Sequence, residues 1–227
     1  MIEKANGFPE KPRERPRDPR FSSGPCKKYP GWELAHLNTD YLGRSHRAKY
    51  PKQRLSSAIE RSHKLLNLPD DWRLGIVPAS DTGAFEMAMW SMLGERPVDA
   101  LVWDSFSSDW ANDLGMLDLP QLNVYKADYG DLPDLSQTQS GHDLVFVYNG
   151  TTSGVRVPDL NWITTDRTGL VLCDATSAVY AMPIDFSQID VLTWSWQKVL
   201  GSEGAHGMLA LGPRAVERLE SYTPSRP

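Results

Sequence analysis

Short apolar runs alternate with longer amphipathic segments along most of this chain, and this alternation restricts the possible folds more than any other feature. The segments 52–68, 81–94 and 107–117 lie before or between these runs and are predicted to be helices. Apolar runs of strand length separated by helices are typical of strands buried on both faces of a parallel sheet. The pattern predicts an α/β fold, a three-layer sandwich with a mostly parallel central sheet and helices on both faces. The runs are RLGIVPAS, DALVWD, HDLVFVYN, GLVLCDAT, DVLTWSW and HGMLALG.

The 227 residues are enough for one large α/β domain or two small ones, with a substantial core. The hydrophobic content of 40% is globular, no run approaches the roughly 20 apolar residues of a membrane helix, and the first residues lack the apolar centre of a secretory signal. A net charge of -5 argues against nucleic acid as a partner. Cys26 and Cys173 have neither metal-ligand spacing nor a disulfide framework, which favours a reducing, cytoplasmic location.

Proline and charge dominate residues 1–30, where six prolines recur among arginines and lysines. Proline at this density excludes a helix, and too few apolar side chains are left to form a core. We therefore expect an extended, Pro/Arg-rich N-terminal arm over residues 1–30, followed by a single large domain over residues 31–227.

Polar and small residues cluster after four of the predicted strands, in ASDTGA, NGTTSG, DATSA and QKVLGSEGAHG. In open parallel sheets, ligands bind beyond the carboxyl ends of the strands. Ordinary connecting loops do not require four polar clusters of this kind. Together the clusters predict an active site at one edge of the sheet.

Two of these clusters hold a pair of residues that suits pyridoxal phosphate. Lys198 follows an apolar strand and precedes a glycine-rich loop, where partial desolvation would favour its reaction with an aldehyde, although alone it could be a solvated loop lysine. Asp174 ends an apolar run, where it could cap a turn or keep a pyridine nitrogen protonated. The two residues support each other as a pair, and neither is persuasive alone.

The segment from Ser80 to Ala84 lies where the first strand meets a helix, and the free N–H groups of a helix start suit a phosphate. Asp81 or Thr82 is expected to be the N-cap, with the Asp81 side chain capping the helix rather than touching the anion. The P-loop pattern GxxxxGK[ST] is absent from the sequence, which argues against an NTPase. The sequence also lacks HExxH and any Cys/His cluster, so we expect no metal site.

Three further features could be structural or functional. Trp110 could pack in the core or stack its ring on a flat cofactor. His46 and Arg47 lie in the basic segment GRSHRAKY, which could be a solvated surface or a clamp for a substrate phosphate or carboxylate. His206 is expected to be structural, since Lys198 can transfer protons itself.

The stretch TWSWQKVLGSEGAHGMLALGPRAVERLESYTP strongly resembles the lysine segment of phosphoserine aminotransferases, a family of class V, fold type I pyridoxal-phosphate enzymes. FSSGPCKKYPGW, LGRSHRAKY, PASDTGAFEMAMWSMLG, NGTTSGVRVP and LCDATSA resemble the family's other blocks, in the same order. Family members continue into a smaller C-terminal domain. We therefore expect this chain to be C-terminally truncated, with the small domain absent and with weak cofactor binding or poor transamination by itself.

The resemblance implies a role for each matching residue. Lys198 would form the Schiff base with pyridoxal 5'-phosphate and carry the proton, and Asp174 would pair with the pyridine nitrogen. Trp110 would stack on the ring, and Thr151 would hydrogen-bond its 3-hydroxyl. The residues implied along the cofactor phosphate are Asp81, Thr82, Thr176 and Gln197. The residues implied at the substrate's phosphate or carboxylate are His46 and Arg47.

The implied activity moves an amino group between O-phospho-L-serine and 2-oxoglutarate, giving 3-phosphohydroxypyruvate and L-glutamate in serine biosynthesis, in a homodimer. Another class V enzyme, such as a serine–glyoxylate or alanine–glyoxylate aminotransferase, is an alternative. A cysteine desulfurase fits poorly, because Cys173 lies in an apolar strand and Cys26 in the N-terminal region rather than on a mobile catalytic loop. An inactive remnant is the third possibility. The expected truncation favours it, whereas the presence of Lys198 and Asp174 argues against it.

Overall fold

A computed structural model of the chain describes residues 13, 14, 17 and 28–226. The extended arm predicted over residues 1–30 therefore lies almost wholly outside the described residues. The α-helices formed by the described residues are α1 (Lys49–Leu66), α2 (Ser80–Met92), α3 (Ser105–Leu114) and α4 (Pro213–Ser221), and the same residues also form three short 3₁₀ turns. The strands are β1 (Arg73–Pro78), β2 (Val98–Val102), β3 (Leu122–Lys126), β4 (Asp143–Val147), β5 (Asn149–Gly150), β6 (Val155–Arg156), β7 (Val171–Asp174), β8 (Val191–Ser195) and β9 (His206–Leu211).

Seven strands form one sheet in the order β1-β9-β8-β7-β4-β2-β3, and β5 pairs with β6 in a separate short hairpin. Strands β8, β7, β4, β2 and β3 run parallel, whereas β9 is antiparallel to both of its neighbours, β1 and β8. The mostly parallel sheet confirms the predicted α/β fold. Its topology brings the ends of β1, β7 and β8 to the same edge, where ligands bind in folds of this kind.

The centre of the sheet is buried, as its sequence predicts. Strands β2, β4, β7 and β8 are buried along their whole length. Helix α2 packs against β9, β8 and β1, and it buries the predicted apolar side that includes Phe85, Met89 and Met92. Burial of large side chains such as these is the main stabilising term, about 1.5–3 kcal/mol each. None of the described helices is long and apolar enough to cross a bilayer.

Three elements were not predicted from the sequence: β3, the β5–β6 hairpin and α4. Strand β3 is an edge strand that is only partly buried, so its sequence LNVYK mixes polar and apolar residues and lacks a clear apolar run. Helix α4 starts with Pro213 at its first position, which proline tolerates, and it buries Ala215, Val216 and Arg218. Its short apolar side is interrupted by Arg218, which hides the helical pattern.

Candidate active site

A cavity of about 270 Å³ lies at the edge of the sheet where β7 and β8 end and α2 begins. It lies where the polar clusters predicted an active site. Eight of the ten predicted site residues line it, namely Asp81, Thr82, Trp110, Thr151, Asp174, Thr176, Gln197 and Lys198. The other lining residues are Ser80, Phe106, Val147, Asn149 and Ser177.

Asp174 ends β7, and its carboxylate is fixed by two N–H donors. The indole Nε1 of Trp110 donates to Oδ2 at 3.0 Å, and the backbone N–H of Thr176 donates to Oδ1 at 2.9 Å. Trp110 itself is buried against Phe85, with ring centroids 4.8 Å apart. Hydrogen bonds from N–H groups stabilise a carboxylate in its charged form. The carboxyl group of Asp174 is therefore held in a fixed orientation in the wall of the cavity, where it can face a ligand cation.

Lys198 lies in the loop between β8 and β9 and lines the same cavity. The two strands are paired antiparallel with Ser195 opposite Gly207, so both ends of the loop are held by the sheet. Lys28 contacts the loop from the N-terminal side, because its Nζ donates to the carbonyl oxygen of Gly201 at 2.6 Å. A flexible, glycine-containing loop is thus tied at several points, which restricts where Lys198 can reach.

The start of α2 differs from the expected cap. Ala79 and Ser80 both adopt left-handed backbone conformations, with φ of 65° and 60°, and Ala79 is the N-cap without a side-chain hydrogen bond. The prediction that Asp81 or Thr82 is the N-cap is wrong, because the chain turns before them and both lie inside the helix. The first N–H groups of α2 therefore lack a capping side chain and can bind an anion.

Glycine at two positions lets this turn pack tightly against the sheet. A Cβ at Gly207 on β9 would overlap the carbonyl oxygen of Ser80 and would lie 2.9 Å from the Cβ of Ala84. A Cβ at Gly83 would lie 2.5 Å from the carbonyl oxygen of Pro78. Strained backbone that its surroundings hold in place is typical of functional sites. The position of the α2 start is thus set by β9.

Asp81 is a second buried carboxyl group in the cavity. It is 6% exposed and lies against Asp174, Thr176 and Thr193. Burial raises the pKa of Asp81 well above its usual range, and the negative charge of Asp174 raises it further, while the two threonine hydroxyls act in the opposite direction. The Oδ1 atom of Asp81 is buried without a hydrogen-bond partner of good geometry among the described residues.

Hydrogen bonds between side chains order the opposite wall of the cavity. Thr151 Oγ1 lies 2.9 Å from Ser177 Oγ, to which Asn149 Nδ2 donates at 3.0 Å. Asn149 and Ser177 lie in clusters marked by the sequence but were not singled out there. Phe106 was also missed. It precedes Trp110 by four residues on α3, so helical spacing could have placed both on one face.

Three of the residues discussed above lie away from the cavity lining. His46 and Arg47 lie on an exposed turn before α1, where the Arg47 backbone N–H donates to Ser45 Oγ at 3.2 Å. Their assignment to the substrate stays a prediction. His206 packs on the ring of Trp196, with centroids 5.1 Å apart, in keeping with its expected structural role. Across the described ranges, no group of three or more potential metal ligands occurs.

Comparison with known proteins gives close relatives by sequence, although no family model matches. The chain is 60% identical over 218 residues to a phosphoserine aminotransferase of Methanosarcina mazei and 58% identical over 218 residues to one of Methanosarcina barkeri. Each match covers 96% of this chain and 59% of the relative. The chain therefore spans less than two thirds of the length of these curated relatives.

Solved structures share the fold at lower identity. A phosphoserine aminotransferase from Cytophaga hutchinsonii has a TM-score of 0.69 and 23% identity, covering 78% of this chain and 50% of that one. A PLP-bound phosphoserine aminotransferase from Trichomonas vaginalis has a TM-score of 0.65 and 19% identity, covering 82% and 52%. An alanine–glyoxylate aminotransferase from Nostoc sp. has a TM-score of 0.67 and 17% identity, covering 77% and 49%. The chain thus shares the fold of these solved aminotransferases, and its sequence is similar to the curated phosphoserine aminotransferases over 96% of its own length.

Proposed function

We propose that this chain binds pyridoxal 5'-phosphate and supplies the cofactor site of a phosphoserine aminotransferase, which moves an amino group between O-phospho-L-serine and 2-oxoglutarate. The observation that carries the proposal is the single cavity lined by Lys198, Asp174 and Trp110, in a chain 60% identical to a phosphoserine aminotransferase. We assign this site to one domain over residues 31–227. We also propose a cytoplasmic location for the protein.

The residues present fit the cofactor. The cavity wall includes Asp81 Oδ1 and Thr176 Oγ1, which lie beside each other but make no hydrogen bond of good geometry within the described structure, so a polar ligand could improve their pairing. Asp174 would hold the pyridine nitrogen, Trp110 the ring face and Thr151 the 3-hydroxyl. The cofactor phosphate would lie at the start of α2, near Thr82 and Gln197.

Each of these residues has a task in the reaction. When bound, pyridoxal phosphate supplies an aldehyde that captures amino groups and a ring that withdraws electrons from the carbon beside the nitrogen. Lys198 would take up the proton of the substrate's α-carbon at its neutral Nζ and would hold it there for return within the same site, so that no net proton is lost. Asp174, held by Trp110 and Thr176, stabilises positive charge at the ring nitrogen. The apolar wall behind Trp110 excludes water.

The substrate phosphate requires cations, and the cavity lining contains Lys198 as its only basic side chain among the described residues. We propose that His46 and Arg47 supply further positive charge. Because they lie on an exposed turn outside the cavity of their own chain, they would reach a substrate most directly across the interface of a homodimer. Two cationic side chains favour a phosphorylated amino acid over a small uncharged one.

A cysteine desulfurase is disfavoured by the site. Cys173 is fully buried in β7, and burial raises the pKa of its thiol well above the usual range, with Asp174 and Asp81 raising it further. Such a thiol is a poor nucleophile. A glyoxylate-dependent aminotransferase has the same fold, so substrate preference is what separates it from the proposed activity.

Cofactor binding is tested first with the purified 227-residue chain and pyridoxal phosphate. We expect the visible absorption of the cofactor to shift when its aldehyde bonds Lys198, and sodium borohydride to fix it to the chain at that residue. Lys198→Ala should lose both signals, whereas Lys64→Ala, at an exposed lysine on α1, should keep them. Attachment elsewhere, or a wild-type spectrum in Lys198→Ala, would contradict the assignment.

Substrate preference is tested by adding amino acids to the cofactor-bound chain. O-Phosphoserine should change the spectrum at concentrations at which serine and alanine do not, and 2-oxoglutarate should then restore it better than glyoxylate. A preference for serine or alanine with glyoxylate would favour the alternative aminotransferase. Size-exclusion chromatography on the same sample tests the proposed homodimer.

A further inference from the structure

Asp81 is a buried titratable group that the reaction outlined above does not use. It is the second residue of α2, it is 6% exposed, and it lines the cavity together with Asp174. A buried carboxyl oxygen without a well-placed partner is costly, and it is retained mainly where it has a task.

Two carboxyl groups that share one buried space do not both ionise readily, because each charge opposes the other and neither is well solvated. Asp174 accepts two N–H hydrogen bonds, which favour its charged form. In the part of the chain that the structure describes, Asp81 has no N–H donor of good geometry at Oδ1, and only the hydroxyls of Thr193 and Thr176 lie beside it. The proton of the pair is therefore expected on Asp81.

The hydroxyls of Thr193 and Thr176 and the start of α2 favour the charged form of Asp81, but burial is the largest effect and outweighs them. The titratable groups around it among the described residues are Asp174 and Cys173 from β7 and Lys198 from the cavity wall, while β8 presents Thr193. Burial and the charge of Asp174 both raise the pKa of Asp81. A carboxylic acid that stays neutral can donate a hydrogen bond from its O–H group.

We propose that Asp81 is a protonated positioning residue that donates a hydrogen bond to Asp174 and thereby limits how strongly Asp174 holds the proton of the cofactor's ring nitrogen. This inference rests on the proposed function, since it concerns the ring nitrogen of pyridoxal phosphate. A donated O–H reduces the negative charge on Asp174, so the ring nitrogen loses its proton at a lower pH than it would beside an unmodified carboxylate.

The first test needs no cofactor and measures the melting temperature of the chain from pH 4 to pH 8. The folded pKa of Asp81 lies above its unfolded value, so the folded chain binds more protons in that window and stability falls as pH rises through it. Asp81→Asn removes this fall, and we expect its melting temperature to exceed wild type by about 5 °C at pH 7.5 and to match it at pH 4.

Asp99→Asn is the matched control, because Asp99 is also buried but fully paired. It accepts hydrogen bonds from Asn123 Nδ2 at 2.8 Å, from the Gln139 backbone N–H at 2.8 Å and from His142 Nδ1 at 2.9 Å. We expect this variant to melt below wild type at pH 7.5. If Asp81→Asn also melts at or below the wild-type temperature at pH 7.5, Asp81 is not a buried neutral acid and the proposal is overturned.

The second test follows the ring nitrogen directly, by NMR of the chain loaded with ¹⁵N-labelled pyridoxal phosphate. In Asp81→Ala the nitrogen should lose its proton about one pH unit higher than in wild type. Asp81→Asn should fall between the two, because an amide can still donate to Asp174. Thr82→Ala, at the next helix position, should leave the nitrogen titration unchanged even if it weakens binding.

An unchanged titration in Asp81→Ala, or a shift to lower pH, would overturn the proposal, since the latter would mean that Asp81 is charged beside the bound ring. Failure of the wild-type chain to bind the cofactor at all would instead refute the proposed function. The melting experiment would still decide whether Asp81 holds a proton, so the two failures are distinguishable.

Discussion

At the scale of single residues, Trp110 offers the cavity two different surfaces. Its ring face is apolar and flat, and its N–H donates to Asp174 at 3.0 Å. The sequence marked the residue as either a core or a stacking side chain, and the structure gives it both a buried ring and a polar contact. Under the proposed assignment, this one side chain would contact both the ring face of the cofactor and Asp174, the group assigned to its nitrogen.

Two substitutions at Trp110 distinguish the contribution of its ring face from that of its N–H group. Trp110→Ala should weaken pyridoxal phosphate binding about 100-fold, because ring face and N–H are both lost, whereas Trp110→Phe keeps a ring and should lose about fivefold. Absorbance titration measures both. Trp162→Phe is the control, since its N–H donates to the nearby Asp159 carbonyl oxygen away from the cavity. An Ala variant that binds as tightly as wild type would exclude the stacking role.

Sequence reasoning placed Lys198 and Asp174 in one site because both follow apolar strands, and strand ends meet at an edge. It could not place Asp81 against Asp174. That contact depends on how far α2 is displaced along the sheet, which the turn at Ala79 and Ser80 determines. A left-handed conformation at an alanine or a serine cannot be recognised from the sequence. The predicted N-cap of α2 therefore lies too far along the chain.

At the scale of elements, β9 determines where α2 starts. Gly207→Ala adds a methyl group that overlaps the Ser80 carbonyl oxygen, so the first turn of α2 must shift. We expect a loss of about 3 kcal/mol in unfolding free energy together with weaker binding of the cofactor phosphate. Gly75→Ala on the neighbouring strand β1 adds a methyl group with nothing within 4 Å and should leave both nearly unchanged. Chemical denaturation and cofactor titration measure the two effects.

Helix α3 carries Trp110 and is fixed at its start by Asp104. This carboxylate is 2% exposed, accepts from the Ser107 backbone N–H at 2.8 Å and also receives the Thr152 backbone N–H at 3.3 Å. It thus joins α3 to the loop that contains Thr151.

Asp104→Ala should lower the unfolding free energy by about 2 kcal/mol, because the cap and a buried partner of Thr152 are lost together. Urea denaturation measures the change. Asp134→Ala removes a similar cap from an exposed 3₁₀ turn, where Asp134 accepts from the Ser136 backbone N–H at 3.0 Å. It should leave the unfolding free energy nearly unchanged, and an equal loss in both variants would contradict the argument.

The buried strands were predictable because continuous apolar runs of this length usually form buried strands. Strands β2, β4, β7 and β8 carry such runs, and the structure has a strand at each. Edge strand β3 and helix α4 were missed for the opposite reason, since partial exposure and an inward-facing Arg218 blur the pattern. Burial along a whole element produces a clear apolar pattern in the sequence, and elements at the margin of the core lack this pattern.

At the scale of the whole molecule, α4 is joined to the start of β4 by a buried ion pair at the sheet edge opposite the cavity. Arg218 Nη1 lies 3.0 Å from Asp143 Oδ2, and both side chains are at least nine-tenths buried. Burial raises the pKa of Asp143, while Arg218 acts against this rise. Removing one side chain of this pair therefore leaves the other buried without its partner, which destabilises the fold.

Arg218→Met should lower the unfolding free energy by about 3–5 kcal/mol at pH 7.5, because Asp143 becomes a buried charge without its partner. The loss should shrink near pH 4, where the Asp143 carboxyl takes up a proton more readily in the folded chain than in the unfolded one. The double variant with Asp143→Asn should recover part of the loss. Denaturation at both pH values tests this, and two independent, additive losses would refute the coupling.

The antiparallel strand β9 also affects the order in which the protein can fold during its synthesis. Among the strands of the described residues, β1 pairs only with β9, and the paired residues Arg73 and Leu211 are 138 positions apart in the chain. On the ribosome, at about 5–20 residues per second, β1 therefore waits about 7 to 28 seconds as an open edge before its neighbour is synthesised. The synthesis of β9 also closes the Lys198 loop and brings Gly207 against the α2 turn, so the proposed cofactor site can form only after β9 has been made.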